Sequence, residues 1–253
     1  MRNLLVVPTL VGLLWPVAPW RELNFMPLMR GGARRSGRQT MTVRTVWRHS
    51  LFLLAVVLLG VQGCSRDDAE AYHKSGIALL EKGRHAEACE KFAKAVEIDP
   101  RYAEAYSDWG VALDAMGKAP EACEKYAKAV EIKPRYAVAY YNWGNALREM
   151  GRNAEACGKY AKAVEIDPRQ AEAYCNWGVA LDDMGRPAEA CGKFAKAVEI
   201  DPRLAKGYLG WGCALACLHK NAEAMEKLDK AAELDPALKP KVEELRKELL
   251  GKK

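Results

Sequence analysis

Proline, tyrosine and glycine recur in this 253-residue chain at a fixed spacing of 34 residues. The three series stay in phase through the C-terminal part of the sequence. Their members are Pro100, Pro134, Pro168, Pro202 and Pro236, then Tyr72, Tyr106, Tyr140, Tyr174 and Tyr208, then Gly76, Gly110, Gly144, Gly178 and Gly212. A period of this length predicts supersecondary units that are too small to bury a core alone and that must therefore stack on one another.

Within each unit the apolar residues follow the period of a helix. In the third unit they lie at positions i, i+3, i+4 and i+7, and they are Tyr140, Trp143, Gly144 and Leu147. This spacing places them on one helical face, which has to be buried. Gly151 then favours the left-handed backbone that ends a helix. Each unit is therefore predicted to be a pair of helices, in which the glycine of the first helix lets the second approach closely.

The unit reads Y-x2-[W/S]-G-x2-L, then A-x3-[F/Y/L]-x2-A, then P, and in this it resembles the tetratricopeptide repeat. The resemblance covers residues 69–236 as five repeats, which are 69–102, 103–136, 137–170, 171–204 and 205–236. It implies an all-α fold, a right-handed α-solenoid of five 34-residue helix-turn-helix repeats. Residues 237–253 are expected to form a C-terminal capping helix and tail, because Val242, Leu245 and Leu249 share one face of an otherwise charged segment.

The N-terminal residues have a different composition. Residues 1–64 hold eight arginines against the single acid Glu22, whereas residues 65–253 hold 31 basic and 32 acidic side chains. Residues 41–64 have the layout of a secretory signal, with a basic start, an apolar run too short to span a bilayer and small residues before Cys64. This end is similar to the bacterial lipoprotein signal. The similarity implies lipidation of Cys64, a tether at residues 65–68, and a membrane-anchored protein of the bacterial cell envelope.

Two interpretations of residues 1–40 are open. In the first, Met41 is the true start and residues 1–40 are a wrongly assigned or unstructured extension. In the second, Met1 is the start and the apolar run at residues 4–20 is a first membrane segment, although its three prolines interrupt a helix.

The repeats show none of the patterns that are typical of a catalytic or cofactor site. A P-loop, a dinucleotide fingerprint and a Gly-x-Ser-x-Gly elbow are absent from the sequence. The near-neutral charge of residues 65–253 does not fit a nucleic-acid footprint. Cys213, Cys217 and His219 are too few ligands for a structural metal site. We therefore expect no catalytic residues, no cofactor, no metal and no nucleic acid, while a disulfide that uses Cys175, Cys213 or Cys217 stays open.

The predicted functional surface follows from how the repeats differ. The second helices are nearly identical, whereas the first helices vary at positions that face the concave groove in the tetratricopeptide family. These positions predict a groove that binds a protein or peptide partner through Glu104, Asp108, Asp114, Tyr141, Asn142, Asn145, Arg148, Glu172, Asn176 and Lys206. Acidic residues outnumber basic ones across the groove, which favours a basic or mixed-charge partner. The competing interpretation is that exposed positions drift freely after duplication.

Two known groove arrangements are similar to parts of this one. Some tetratricopeptide domains clamp a C-terminal carboxylate; Asn145, Asn176 and Lys206 fall on three of its places, but Tyr141 and Gly210 stand where two basic residues are usual. The series Asp108, Asn142 and Asn176 resembles the asparagine ladder in the repeats of O-linked N-acetylglucosamine transferase. The sequence thus predicts a non-enzymatic binding scaffold. The alternatives are a non-catalytic recruitment subunit of an envelope enzyme complex and, more remotely, an enzyme.

Overall fold

The computed structural model describes residues 66–251, and the regular elements in that range are helical. The first helix, α1, spans residues 66–81. The next are α2 (His85–Ile98), α3 (Ala103–Ala115), α4 (Ala119–Ile132), α5 (Ala137–Glu149), α6 (Asn153–Ile166), α7 (Ala171–Asp183), α8 (Pro187–Ile200), α9 (Ala205–Cys217) and α10 (Asn221–Leu234). A 3-10 turn at Pro236–Leu238 leads into α11 (Lys239–Gly251). The predicted all-α solenoid of helix pairs with a C-terminal helix is confirmed.

The core of each helix pair is an aromatic or leucine side chain that packs against a glycine. Tyr160 of α6 is fully buried, and its ring lies over Gly144 of α5. A Cβ atom placed on Gly144 would lie 2.6 Å from Cε1 of Tyr160. The same contact recurs between Gly110 and Tyr126, where the corresponding distance is 2.6 Å. The periodic glycine is therefore needed because a ring of the second helix occupies the space of its missing side chain.

The turns inside the helix pairs are built alike. Gly151 has a φ of 73°, and its N–H donates to the carbonyl oxygen of Arg148 over 2.8 Å. The N–H of Arg152 donates to the carbonyl of Leu147 over 2.9 Å, which completes the left-handed helix ending. His219 takes the place of this glycine in the last pair and has a φ of 60°. Histidine is among the few side chains that tolerate such a backbone, so its position is explained by the turn.

The first helix begins earlier than the sequence indicated. Residues 66–68, which we expected to belong to the tether at residues 65–68, are already helical. Asp67 and Asp68 stand in the first turn, where carboxylates interact favourably with the positive end of the helix dipole. Cys64 and the whole predicted signal lie outside the described residues.

The C-terminal helix α11 continues the 34-residue register of the first helices. Val242 occupies the periodic tyrosine position, Leu245 the tryptophan position and Leu249 the leucine position. Val242 is 2 % exposed and is the buried residue of this helix. Arg246 stands where the first helices have glycine, and no second helix follows in the described residues to bring a ring against it. The cap is therefore half of a sixth helix pair.

Candidate functional site

The odd-numbered helices line the inner surface of the solenoid. Each of α3, α5 and α7 contacts the next first helix directly, as α3 does α5. The second helices α4, α6 and α8 contact the first helices on either side but make no comparable contacts with one another. Helices that touch lie on a tighter curve than helices that do not. The first helices therefore form the concave side of the solenoid.

The centre of the groove is a polar cluster that joins three helices. The Tyr160 hydroxyl donates a hydrogen bond of 2.7 Å to Oδ1 of Asn145. Nδ2 of Asn176 donates to the same oxygen over 2.9 Å and to the Tyr141 hydroxyl over 3.2 Å. We call Tyr141, Asn145 and Asn176 the central cluster. Because its bonds run from α5 to α6 and to α7, it links two neighbouring helix pairs as well as lining the groove.

The hydrogen bonds of the central cluster leave donors unused. The carbonyl oxygen of Asn145 accepts two bonds, but within residues 66–251 its own NH2 group makes none. The Tyr141 hydroxyl accepts from Asn176 and keeps its hydrogen free to donate. Asn142 makes no side-chain hydrogen bond within the same range. The NH2 group of Asn145 and the hydroxyl of Tyr141 are therefore available to donate to a ligand that carries acceptors.

Two of the predicted groove acids are already engaged inside the protein. Oδ2 of Asp108 lies 2.7 Å from Nε2 of His73, which donates to it, while Nδ1 of His73 lies 2.9 Å from the Tyr102 hydroxyl. His73 is buried, so this chain of bonds joins the first two helix pairs. Glu104 pairs with Lys133 over 2.6 Å. The expected ladder of Asp108, Asn142 and Asn176 does not line up as equivalent rungs, because the first and last members are bonded within the chain and Asn142 is not.

Asp114, Arg148 and Asp182 occupy equivalent positions in α3, α5 and α7, and all three are half-buried. Burial, together with nearby Glu149, raises the pKa of Asp114 to about 6. Burial and the neighbouring Asp183 also raise the pKa of Asp182 above its usual value. Glu172 and Lys206, by contrast, are exposed in the first turns of α7 and α9. The predicted residues thus divide into a central cluster, a row of half-buried charges and an exposed rim.

A repeated feature of the second helices was missed by the sequence interpretation. The ammonium groups of Lys125, Lys159, Lys193 and Lys227 lie over the rings of Trp109, Trp143, Trp177 and Trp211, at 4.0, 3.3, 3.5 and 4.7 Å from the ring centroids. Burial lowers the pKa of Lys159. Each lysine follows its tryptophan by 16 residues, and this constant offset was the available signal. These lysines are part of the packing of the solenoid and are not free surface charges.

The cysteines of the described range are free thiols. Burial raises the pKa of Cys175 to about 11, so its thiol is protonated at neutral pH. Cys213, Cys217 and His219 line a crevice of about 350 Å³ between the last helix pair and α11, together with Leu228 and Leu245. Within residues 66–251 no group of three or more His, Cys, Asp or Glu side chains is placed to hold a metal ion, and no helix is long and apolar enough to cross a membrane.

Comparison with known proteins agrees with this architecture. The family model described as TPR repeat matches residues 76–117 and 144–185, and the model described as Tetratricopeptide repeat matches residues 171–204. A search of curated protein sequences found no match.

Several solved structures share the fold. YrrB, described as a TPR protein with an unusual peptide-binding site, is 27 % identical, with a TM-score of 0.58, and the match covers 67 % of this chain and 87 % of that one. Pseudomonas aeruginosa pilF is 27 % identical with a TM-score of 0.61, over 66 % of this chain and 77 % of that one. MamA is 24 % identical with a TM-score of 0.61, over 69 % and 95 %, a likeness that concerns the fold alone. The helix pairs of this α-solenoid are thus similar to tetratricopeptide repeats, both in the segments that the family models match and in the fold of these solved structures.

Proposed function

We propose that this protein is a non-catalytic scaffold that holds an extended segment of a partner protein in the groove, against the central cluster. The observation that carries the proposal is the set of unused donors on Asn145 and Tyr141. A peptide backbone offers a carbonyl acceptor at every residue. Donors that meet those carbonyls bind the chain largely independently of its side chains, while Tyr141 adds a rigid aromatic contact.

Peptide binding is known for a protein of the same fold. YrrB, at 27 % identity, is described as having a peptide-binding site. Inside this chain, buried His73 bonds to half-buried Asp108 and to the Tyr102 hydroxyl and so joins two helix pairs, which means that the geometry of these residues serves packing. We therefore assign binding, and no reaction, to the groove.

The test compares groove variants with a variant on the outer surface. A partner is first captured in the native host by a photo-crosslinking residue placed at position 142, and its bound segment is mapped. We expect Asn145→Ala with Asn176→Ala to weaken the affinity for that segment by about tenfold. Asn145→Ala removes an unused donor, and Asn176→Ala removes the amide that holds Tyr141 and Asn145 in place, each effect being worth about 0.5–1.5 kcal/mol.

The matched control is Lys162→Ala, which removes an exposed ion pair with Glu165 on α6. It should leave the affinity unchanged. If the groove variants bind as well as the wild type while Lys162→Ala does not, the binding surface lies on the second helices and the proposal is wrong.

We further propose that the scaffold works at the bacterial cell envelope, anchored through lipid on Cys64. The signal-like layout of residues 41–64 supports this proposal. Two or more acyl chains would hold the protein firmly on a membrane, whereas one would hold it marginally. Cys64→Ala should leave the signal uncleaved and abolish acylation, as read by intact-mass spectrometry. Maturation of this variant to the wild-type peptide mass would contradict the proposal.

A further inference from the structure

One groove position alternates in charge along the solenoid. It lies three residues beyond the Asn145 position in each first helix, and it holds Asp114 in α3, Arg148 in α5 and Asp182 in α7. Leu80 and Ala216 occupy the equivalent positions on either side, so the charges are confined to the three middle repeats. We call Asp114, Arg148 and Asp182 the charged row.

The charged row is not neutralised within the described part of the chain. None of its three side chains forms a salt bridge with another residue in 66–251, although the exposed surface has many such pairs. Oδ1 of Asp114 and Nε of Arg148 are buried and have no hydrogen-bond partner. A buried polar atom without a partner costs free energy, and the cost is larger when the group is charged. An external partner that supplied the missing contacts would recover this cost.

The three charges of the row cannot all be paired with one another. Arg148 stands between two carboxylates, one in the repeat before it and one in the repeat after it. A swing of its side chain toward Asp114 moves it away from Asp182, and the reverse movement leaves Asp114 alone. At least one half-buried carboxylate therefore stays unpaired in the free protein.

The spacing of the row sets the kind of ligand that fits. Packed helices lie about 8–10 Å apart, and an extended chain rises about 3.3 Å per residue. Successive members of the row are therefore matched by every third residue of an extended peptide. We propose that the charged row selects an internal segment with a basic residue, an acidic residue three positions later and a second basic residue three positions after that. This proposal rests on the proposed groove function and adds the side-chain pattern that the groove reads.

The order basic, acidic, basic is the same in both chain directions, so it is compatible with either orientation of the bound segment. Arg148 recognises the central carboxylate with its planar donors, and Asp114 and Asp182 accept from the flanking ammonium or guanidinium groups.

The test uses synthetic peptides and a charge reversal. Three fluorescein-labelled 11-residue peptides share one polar, uncharged background and carry Lys, Glu and Lys at positions 3, 6 and 9, or Lys, Lys and Glu, or Glu, Lys and Glu. We expect the purified protein to bind the first at least tenfold more tightly than the other two, in fluorescence anisotropy at low salt. In Arg148→Glu, a fourth peptide with Lys at all three positions should become the preferred ligand.

The matched control is Arg152→Glu, which reverses an exposed arginine in the turn between α5 and α6, where it pairs with Glu155, and it should keep the wild-type preference. Circular dichroism verifies that both variants remain helical. Equal binding of the peptides, no binding of any of them, or a preference in Arg148→Glu that does not follow the charge would overturn the proposal. If the partner segment mapped by crosslinking still depends on Asn145 and Asn176 while charge register has no effect, the groove function stands and the charged row has no part in it.

Discussion

The contact between glycine and ring decides how closely the two helices of a repeat approach. Gly144 of α5 lies under the ring of Tyr160. Gly158 of α6, by contrast, has no atom within 4 Å of the position that a Cβ would take. The two glycines therefore have opposite effects on stability. One is required by packing, and the other only weakens a helix.

We expect Gly144→Ala to lower the free energy of unfolding by about 1–3 kcal/mol, because the ring of a fully buried tyrosine has to move. Gly158→Ala should raise it by about 0.5–1 kcal/mol through helix propensity alone. Urea denaturation of the two purified variants measures both values. A stabilising effect of Gly144→Ala would show that the ring is free to shift, against the packing described above.

Asp114 is predicted to destabilise the protein at neutral pH. Its pKa in the folded protein is about 6, because of burial and Glu149, and its value in an unfolded chain is about 4. A carboxyl with a raised pKa favours folding while it is protonated, so stability is lost as the pH rises from about 4 to about 6 and stays lower above that.

Asp114→Asn removes this charge. We expect it to raise the free energy of unfolding by about 1 kcal/mol at pH 7, a figure reduced from the full shift because the side chain is half-exposed. The gain should shrink at pH 4, where the folded wild type is already protonated. An equal gain at both pH values would show that the charge of Asp114 is not its cause.

At the scale of the helix, the periodic residues predicted those features that are formed within a single repeat. The helix pairs, the left-handed turn at Gly151 and the close approach at Gly144 follow from residue spacing, and the structure has all three. Each of these features is local in sequence. Local geometry is what a single chain, read without relatives, specifies best.

Features that depend on side-chain choice between helices were not predicted. Glu155 and Lys159 stand at i and i+4 of α6, a spacing that favours an ion pair, but the structure does not form one. Glu155 pairs with Arg152, and the ammonium of Lys159 lies 3.3 Å from the ring centroid of Trp143. The i,i+4 rule considers neighbours on one helix, whereas a long lysine side chain gains more by covering an aromatic ring.

The groove residues show the same limit. The sequence placed Asp108, Asn142 and Asn176 in one ladder because they are 34 residues apart. Equivalent positions share a backbone site but not a set of neighbours. Asp108 meets His73, while Asn176 meets Tyr141 and Asn145, and only the side chains of the adjoining repeats decide between these outcomes.

On the scale of the whole solenoid, stability comes from the stacking of neighbours, so the last helix matters more than its single buried residue suggests. Val242 of α11 is buried, and α11 packs against α10 of the final repeat. Helix α11 thus extends the stack beyond the final repeat.

Deletion of residues 239–253 should lower the melting temperature by several degrees and increase the binding of a hydrophobic dye, because it uncovers the apolar end of the stack. Deletion of residues 250–253 is the control, since Leu250 is 59 % exposed and contributes little. Differential scanning calorimetry and dye fluorescence give the two readings. Equal melting of both truncated proteins would mean that the final repeat closes its own surface.

Among the helices from α2 to α11, substantial contacts join only helices that are one or two places apart along the chain. No substantial contact in that range joins one end of the superhelix to the other. We therefore expect the end pairs to open locally more often than the middle pairs. The central cluster belongs to the third and fourth of five pairs, with stacked helices on both sides. A segment bound at the central cluster would therefore contact the helix pairs that open least often. Local opening of the outer pairs would then not by itself release the bound segment.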